Sequence, residues 1–324
     1  MRRVIGPALA GVGAFLVVAA LLLPTWVAGQ VIKFPNNEYF VSTLQATGAS
    51  YFSPSQLKPI SGATIRVTDT VKGDGKAGTS STAVWNEFTY VYDVSNSAVV
   101  SYSARRAAFD RKTGQLVACC GVSLNGDTKI RQSGGSGYVW PMGTQKQTYY
   151  VFDTTLDKPM PYLYQGTDTV DGISAYRFVE QVPPTRYGDL SLPASLIGGK
   201  GSAMVSVPEY YSATNTDWVD PTTGAVLKVT EDQRQVLRDA SGNEVLLLFA
   251  ANLAMTPKTV SDTVNVDAAG RTKITLLTTV IPLVSGLVGV AALVAGILLS
   301  RPRRGRHRAQ AETDAPAPVL DPAV

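Results

Sequence analysis

The segment ITLLTTVIPLVSGLVGVAALVAGILLS, residues 274–300, runs 27 residues without a charged side chain. A bilayer's hydrocarbon core needs about 20 apolar residues as helix, so this run is long enough to cross it. Arg301, Arg303, Arg304, Arg306 and Arg308 follow directly. A second charge-free run of 29 residues, Val4 to Ile32, comes after Arg2 and Arg3. Basic flanks stay on the cytoplasmic side of a membrane. Both ends are therefore placed in the cytoplasm, and the region between them outside. The predicted layout is a cytoplasmic N-terminus at 1–3, a transmembrane helix at 4–27 and an extracytoplasmic domain at 28–273. A second transmembrane helix follows at 274–300, then a cytoplasmic tail at 301–324. This is a two-pass plasma-membrane protein with both termini inside.

The charge distribution supports that layout. The 324 residues carry 29 Lys and Arg against 25 Asp and Glu, a formal balance of +4. The two flanks and the tail hold seven basic residues and three acids (Glu312, Asp314 and Asp321), and the remaining 22 basic and 22 acidic residues cancel. The positive charge is a topology signal. Nucleic acid is excluded as a partner, because that would need a basic stripe on the folded part. Charged residues make up only 17% of the chain, against about 25% in soluble proteins. The single histidine, His307, excludes His-dependent catalysis and His metal clusters from everything before it.

Each apolar run carries detail. A cleaved signal peptide ending at Val27-Ala28-Gly29 competes for the first run. Its apolar core from Val4 to Leu23 exceeds the usual 7–15 residues, which favours an uncleaved anchor. In the second run Pro282 should kink or end a helix, which puts the embedded part at Pro282 to Ser300 plus a few residues before it. Ser261-Asp262 reads as an N-cap for a helix from about 260 that leads to the membrane. Gly286, Gly289, Ala292 and Gly296 are small, and the Ala292/Gly296 spacing permits close helix approach. Small residues are also common in lipid-facing helices, which is the simpler reading. The tail after Arg308 is rich in Ala, Pro and acids and should be disordered.

The region between reads as mainly antiparallel β, a curved sheet, sandwich or barrel-like body. Strand candidates with period-two alternation are 63–71, 87–94, 174–179 and 226–230. Asp110-Arg-Lys-Thr-Gly114 and Asp220-Pro-Thr-Thr-Gly224 each sit between strand-like segments, as tight turns do. Their likeness is either turn chemistry or the trace of a duplication. Residues 244–255 do not alternate, and read as a strand buried on both faces or as a helix start. The apolar stretch Leu190 to Gly199 either exposes a contact surface or folds back on the core.

Chemistry-bearing motifs are few. Leu116-Val-Ala-Cys119 has the letters of a lipoprotein acylation box but lies far behind a complete span. Cys119 and Cys120 are adjacent in an oxidising compartment, which favours a vicinal disulfide. Buried thiols and an intermolecular bridge remain as alternatives. Asp168-Thr-Val-Asp171-Gly lacks most of a calcium loop and reads as a turn. No P-loop, nucleophile elbow or metal-spaced Cys/His set occurs, so no catalytic residue, metal or cofactor is assigned.

Trp140-Pro-Met-Gly143, Tyr149-Tyr-Val-Phe-Asp153, Tyr164-Gln-Gly166 and Val170-Asp-Gly172-Ile-Ser-Ala-Tyr176-Arg-Phe178 carry a resemblance. With the Asp110–Gly114 turn and Cys119-Cys120, they make the chain resemble the actinobacterial PorA-like membrane proteins from Arg2 to about Arg304. The resemblance implies a cell-envelope role. It implies association with lipoglycan assembly (lipomannan and lipoarabinomannan) in mycolate-containing bacteria, and a lipid-binding outer domain. It transfers no catalytic residue.

The expected function is a non-enzymatic envelope protein that binds or presents phospholipid or glycolipid. Tyr149, Tyr150, Phe152, Tyr162, Tyr164, Tyr176 and Phe178 are the candidates to line a groove, with ordinary core packing as the competing role. The alternatives are a scaffold or regulator of envelope-biosynthesis proteins, an enzyme acting on envelope glycans, and a pore. Against the pore, a β-barrel channel needs an apolar outer band of strands, and the two apolar runs lack polar residues to line a channel.

Overall fold

A computed structural model describes residues 2–301, with side chains from residue 4 onward. The tail, His307 and the arginines beyond Arg301 lie outside the described residues, as do the side chains of Arg2 and Arg3. The chain forms two compact units, the terminal helices and the region Leu23–Val280.

In the helical unit, α1 (Arg2–Leu22) packs antiparallel on α4 (Ile281–Ser300). Their glycines set the approach. Gly13 meets the backbone of Leu293 and Gly289, and Gly296 meets the backbone of Ala10. A Cβ at Gly289 would come within 2.9 Å of the Leu16 Cβ. Small residues make this contact, as close-packed membrane helices require. Gly289 and Gly296 of α4 both lie in this contact.

Helical structure continues beyond both members of this pair. After α1 come a π turn (Leu23–Val27) and the short α2 (Ala28–Val31). Before α4 come α3 (Pro257–Thr275) and a second π turn (Leu276–Val280). Pro282 therefore does not end the helix. The wide π turn just before it offers a way to accommodate the proline's ring and missing donor. The N-cap is also earlier than Ser261-Asp262. Thr256 caps α3 by accepting from the Thr259 amide at 3.3 Å, and Pro257 takes the first helical position, where its missing N–H is harmless.

The remaining chain builds one antiparallel sheet. Its strands are β1 (Tyr39–Ser53), β2 (Lys58–Gly73), β3 (Thr82–Asp93), β4 (Val99–Asp110), β5 (Leu116–Val117) and β6 (Ser123–Leu124). Then come β7 (Tyr149–Asp153), β8 (Lys158–Val170), β9 (Ile173–Pro193), β10 (Met204–Val219), β11 (Val226–Arg238) and β12 (Glu244–Met255). The order is β5-β4-β3-β2-β1-β12-β11-β10-β9-β8-β7, with β6 also on β4. The two meanders join where β12 pairs β1. Residues 244–255 are thus a strand, with one neighbour from each meander. Bulges in β1, β8, β9 and β10 help curl the sheet into a half-barrel.

A curled sheet leaves two edges, here β5 and β7. Residues Gly134–Gly137 connect them. The Leu116 amide donates to the Gly135 carbonyl at 2.9 Å. The Ser136 amide donates to the Tyr150 carbonyl at 2.8 Å, and the Phe152 amide donates to the Ser136 carbonyl at 3.0 Å. Glycine is required there, since a Cβ on Gly135 would lie 2.7 Å from the Tyr150 carbonyl oxygen.

Alternation does not always put the larger apolar residues inside. On β3 the aromatic phase, Phe88, Tyr90 and Tyr92, faces outward and stacks with Tyr102 of β4. The inward phase is Trp85, Glu87, Thr89, Val91 and Asp93. The polar inward residues have partners: Arg105 lies opposite Glu87, and Asp93 accepts from the Tyr51 hydroxyl at 3.2 Å. The stretch from Leu190 folds back: Leu196 and Ile197 pack against Leu192, Val207 and Leu237.

The Asp110–Gly114 and Asp220–Gly224 turns are alike in detail. In each, the aspartate carboxylate accepts from the amide two residues on, and the glycine has positive φ. Asp93–Ser97 and Asp153–Asp157 repeat the device without glycine, using positive-φ Ser97 and Asp157. Its recurrence in four hairpins makes it turn chemistry rather than evidence of duplication.

The second of these turns also holds α3. Asp220, fully buried, pairs with Arg271 at 3.0 Å, and the Thr223 hydroxyl donates to Asp267 at 2.5 Å. Asp220→Ala should lower the unfolding free energy by about 2 kcal/mol, because it strands the arginine and opens the turn. Arg271→Ala should lower it less, and thermal melts of the two variants would show the ranking. In the helical unit, Gly286 faces Ala20 with a Cβ separation of 3.5 Å. The pair Ala20→Cys and Gly286→Cys should therefore cross-link within one chain. Adding Gly13→Leu should abolish the cross-link, as read by non-reducing electrophoresis.

Candidate functional site

The concave face of the half-barrel encloses a hollow of about 680 Å³. Its lining mixes apolar residues, Leu44, Val91, Leu192, Leu196, Phe249 and Leu253, with polar ones, Asp69, Glu87, Thr89, Ser103, Arg105, Glu231 and Gln233, and Leu253 lies directly across from Glu231 in the strand register. A smaller chamber of about 190 Å³ shares Phe152, Thr154, Thr155, Glu231 and Gln233 with it. Asp153, Tyr162, Glu180, Tyr211 and Asn215 complete the chamber.

Strand register brings these polar groups together. Ser42, Asp69, Thr89 and Ser103 are successive cross-strand neighbours on β1 to β4. Tyr162, Glu180, Asn215 and Glu231 are the same on β8 to β11. Asp69 accepts from the Thr89 hydroxyl at 2.6 Å. Asn215 donates its amide to Glu180 Oε2 at 2.6 Å, while Glu180 Oε1 and Asn215 Oδ1 lack a close hydrogen-bond partner. Arg105 donates Nε to Gln132 at 2.8 Å, lies 3.9 Å from Glu87, and stacks over Tyr138 and Phe152.

Burial governs the acid–base behaviour of this belt. It pushes the Glu231 carboxyl up to about 8, with the charges of Asp69 and Asp217 adding to the rise. It lifts Glu180 to about 7, reinforced by Asp153 and opposed by the Asn215 amide. Glu87 rises to about 7 through burial despite Arg105. Asp217 does the same although Trp140 Nε1 donates to it at 3.2 Å.

The aromatic candidates divide. Phe152 lines the main hollow and, with Tyr162, the inner chamber. Tyr149, Tyr162 and Phe178 surround Trp140 at ring-centroid distances of 5.3, 5.7 and 4.3 Å. Tyr164 packs on Phe178 and Tyr176, extending the same cluster. Tyr150 faces outward. The cluster anchors the sheet's second half, and the charged and amide groups of the two cavities are not among the aromatic candidates: Asp69, Glu87, Arg105 and Glu231 line the hollow, and Glu180, Asn215 and Glu231 line the chamber. A signal for them exists. Asp69 shares its strand phase with Ile65, Val67 and Val71, and Glu180 shares its phase with Phe178 and Val182. An acid in the apolar phase of an alternating strand marks a polar interior.

Cys119 and Cys120 are joined as a disulfide. Cys120 has a φ of 64°, and its carbonyl accepts from Arg106 Nε at 3.1 Å. Among the described residues no group of three or more His, Cys, Asp or Glu is arranged to hold a metal ion.

Two long apolar helices with a curled β domain around an amphipathic hollow define a class of membrane protein. The family described as Porin PorA matches residues 5–298. The chain belongs to that family. A Corynebacterium resistens protein named Porin PorA is 24% identical over 320 residues, covering 72% of this chain and 76% of the relative. A Corynebacterium amycolatum protein of the same name is 28% identical over 123 residues, covering 30% of this chain and 32% of the relative.

The raised carboxyls make stability depend on pH. Glu180 and Glu231 titrate higher when folded than the 4.5 of an ordinary glutamate. Below that value both states are protonated and the contribution to stability is full. As pH rises toward 8 the unfolded chain has already lost the protons that the fold retains, and the contribution falls. Melting temperature should therefore drop from about pH 5 to about pH 8.5, and Glu231→Gln should flatten the drop.

Proposed function

We propose that the β domain binds or presents a lipid or glycolipid outside the plasma membrane, in support of lipoglycan or other envelope assembly, without catalysing a reaction. The observation that carries this is the hollow of about 680 Å³, lined by both apolar and polar side chains. Burying a chain there is worth about 0.8 kcal/mol per CH₂, so even a partly inserted acyl chain would be held. The basic flanks support a reading with both termini in the cytoplasm and the β domain on the outer side of the bilayer that would supply its ligand.

The porin reading draws support from the names of the two Corynebacterium relatives. A strand-built pore needs a continuous apolar outer band about 25 Å tall. The outward strand phase here carries Arg66, bonded to Gln45 and Tyr92, and an Asp168–Arg177 ion pair. The ligand-binding reading fits such a surface better.

The full-length protein, purified in nanodiscs and examined by native mass spectrometry, should carry a bound lipid. Ser103→Trp, which adds bulk to the hollow, should displace it with little change in melting temperature. Absence of lipid from the wild-type protein, or single-channel conductance in planar bilayers, would overturn the proposal.

A further inference from the structure

We propose that the smaller chamber holds a protonated amine, the head of an amphiphile whose chain lies against the apolar residues of the main hollow. This rests on the ligand-binding reading above and adds the chemistry of the head group and its orientation.

Three observations carry it. Glu180 Oε1 and Asn215 Oδ1 lack a close hydrogen-bond partner, on residues only 1% and 9% exposed that both line the chamber, and of the chamber's hydroxyls Tyr162 acts on the Glu180 carboxyl. A buried polar atom left unpaired costs about 1–3 kcal/mol, so such a pair calls for a donor. Second, the chamber wall contains Asp153, Glu180 and Glu231 but no Lys, Arg or His. Arg105, on the wall of the main hollow and outside the chamber, donates Nε to Gln132, lies 3.9 Å from Glu87 and stacks on two aromatic rings, while its Nη2 has no acceptor. Third, the chamber adjoins the main hollow through five shared residues. A chain against the apolar residues can therefore deliver its head to the carboxyls.

The donor inventory selects the head group. An ammonium has three donors and no acceptor, which matches an acceptor-rich wall. Phosphate or carboxylate would meet like charge on Asp153 and on whichever of Glu180 and Glu231 is ionised, and would gain no cationic partner from the chamber lining. A sugar hydroxyl needs acceptors and donors in balance. The rings of Phe152, Tyr162 and Tyr211 offer faces to a cation or to its methylene stem.

The proposal predicts proton linkage. The titratable groups facing the site are Asp153 on β7, Tyr162 on β8, Glu180 on β9, Tyr211 and Asp217 on β10, and Glu231 on β11, with Asp69 on β2 acting on Glu231. Glu180 and Glu231 are partly protonated near neutrality. An entering ammonium favours their ionised forms, so binding releases protons and tightens as pH rises.

Octylamine, octyl glucoside and octanoate share a tail and differ in head. Each can be titrated calorimetrically into the full-length protein in phosphatidylcholine nanodiscs, with empty discs as the blank. Octylammonium should saturate one site at least about tenfold more tightly than the other two. Its affinity should rise about tenfold from pH 6 to pH 8, and heats in buffers of different ionisation enthalpy should show proton release. Glu180→Gln and, separately, Glu231→Gln should weaken octylammonium and leave octyl glucoside unchanged. Equal or tighter binding of octyl glucoside or octanoate, or octylammonium binding without proton release, would overturn the amine assignment and leave the lipid-binding reading standing. No saturable binding of any of the three would overturn both.

Discussion

The β domain depends on one constraint: the backbone groups on the two edges of a curled sheet must find partners. Ser136 supplies much of the answer, exchanging bonds with β7 while its neighbour Gly135 accepts from β5. Without that link both edges would present open rows of donors and acceptors, the usual template for aggregation. Closure by a glycine-flanked strap, rather than by strand pairing, lets the sheet stay open enough to enclose space. The hollow, its belt and its chamber follow from that geometry.

The belt is costly to the fold. A sheet interior filled only with Val, Ile and Leu would be more stable, since each buried carboxyl carries a desolvation penalty that Thr89, Asn215 and Trp140 only partly offset. Six acids in or beside the interior against one arginine is a departure from packing logic of the kind associated with functional sites.

Much of the architecture is legible in the sequence because it rests on local pattern. Charge-free runs near the ends give the apolar helices, and period-two segments with Asp-led turns give the antiparallel sheet. Family-like motifs around Trp140 anticipate its aromatic cluster. What was not legible depends on distant partners. Outward Phe88 and inward Glu87 invert the simple expectation for β3, and only the opposed Arg105 and the stacked Tyr102 explain why. Pro282 looks like a helix end because no sequence rule announces a π turn. The chamber joins residues from five strands, and the one local hint, an acid in the apolar phase, gains meaning only once register is known.

The strap between the two edges also orders events in time. Residues 134–140 bond to β5 and β7, and the Trp140 amide donates to the Gly224 carbonyl at the far turn of β10. Such a segment cannot settle until both meanders have formed and met, since its partners lie about twenty residues before it and over eighty after it. Sealing therefore follows the hairpins that the strap joins. A nascent chain still in the act of threading would hold its acid-lined trough open along one side, and the Trp140 indole would remain wet until the seam shut.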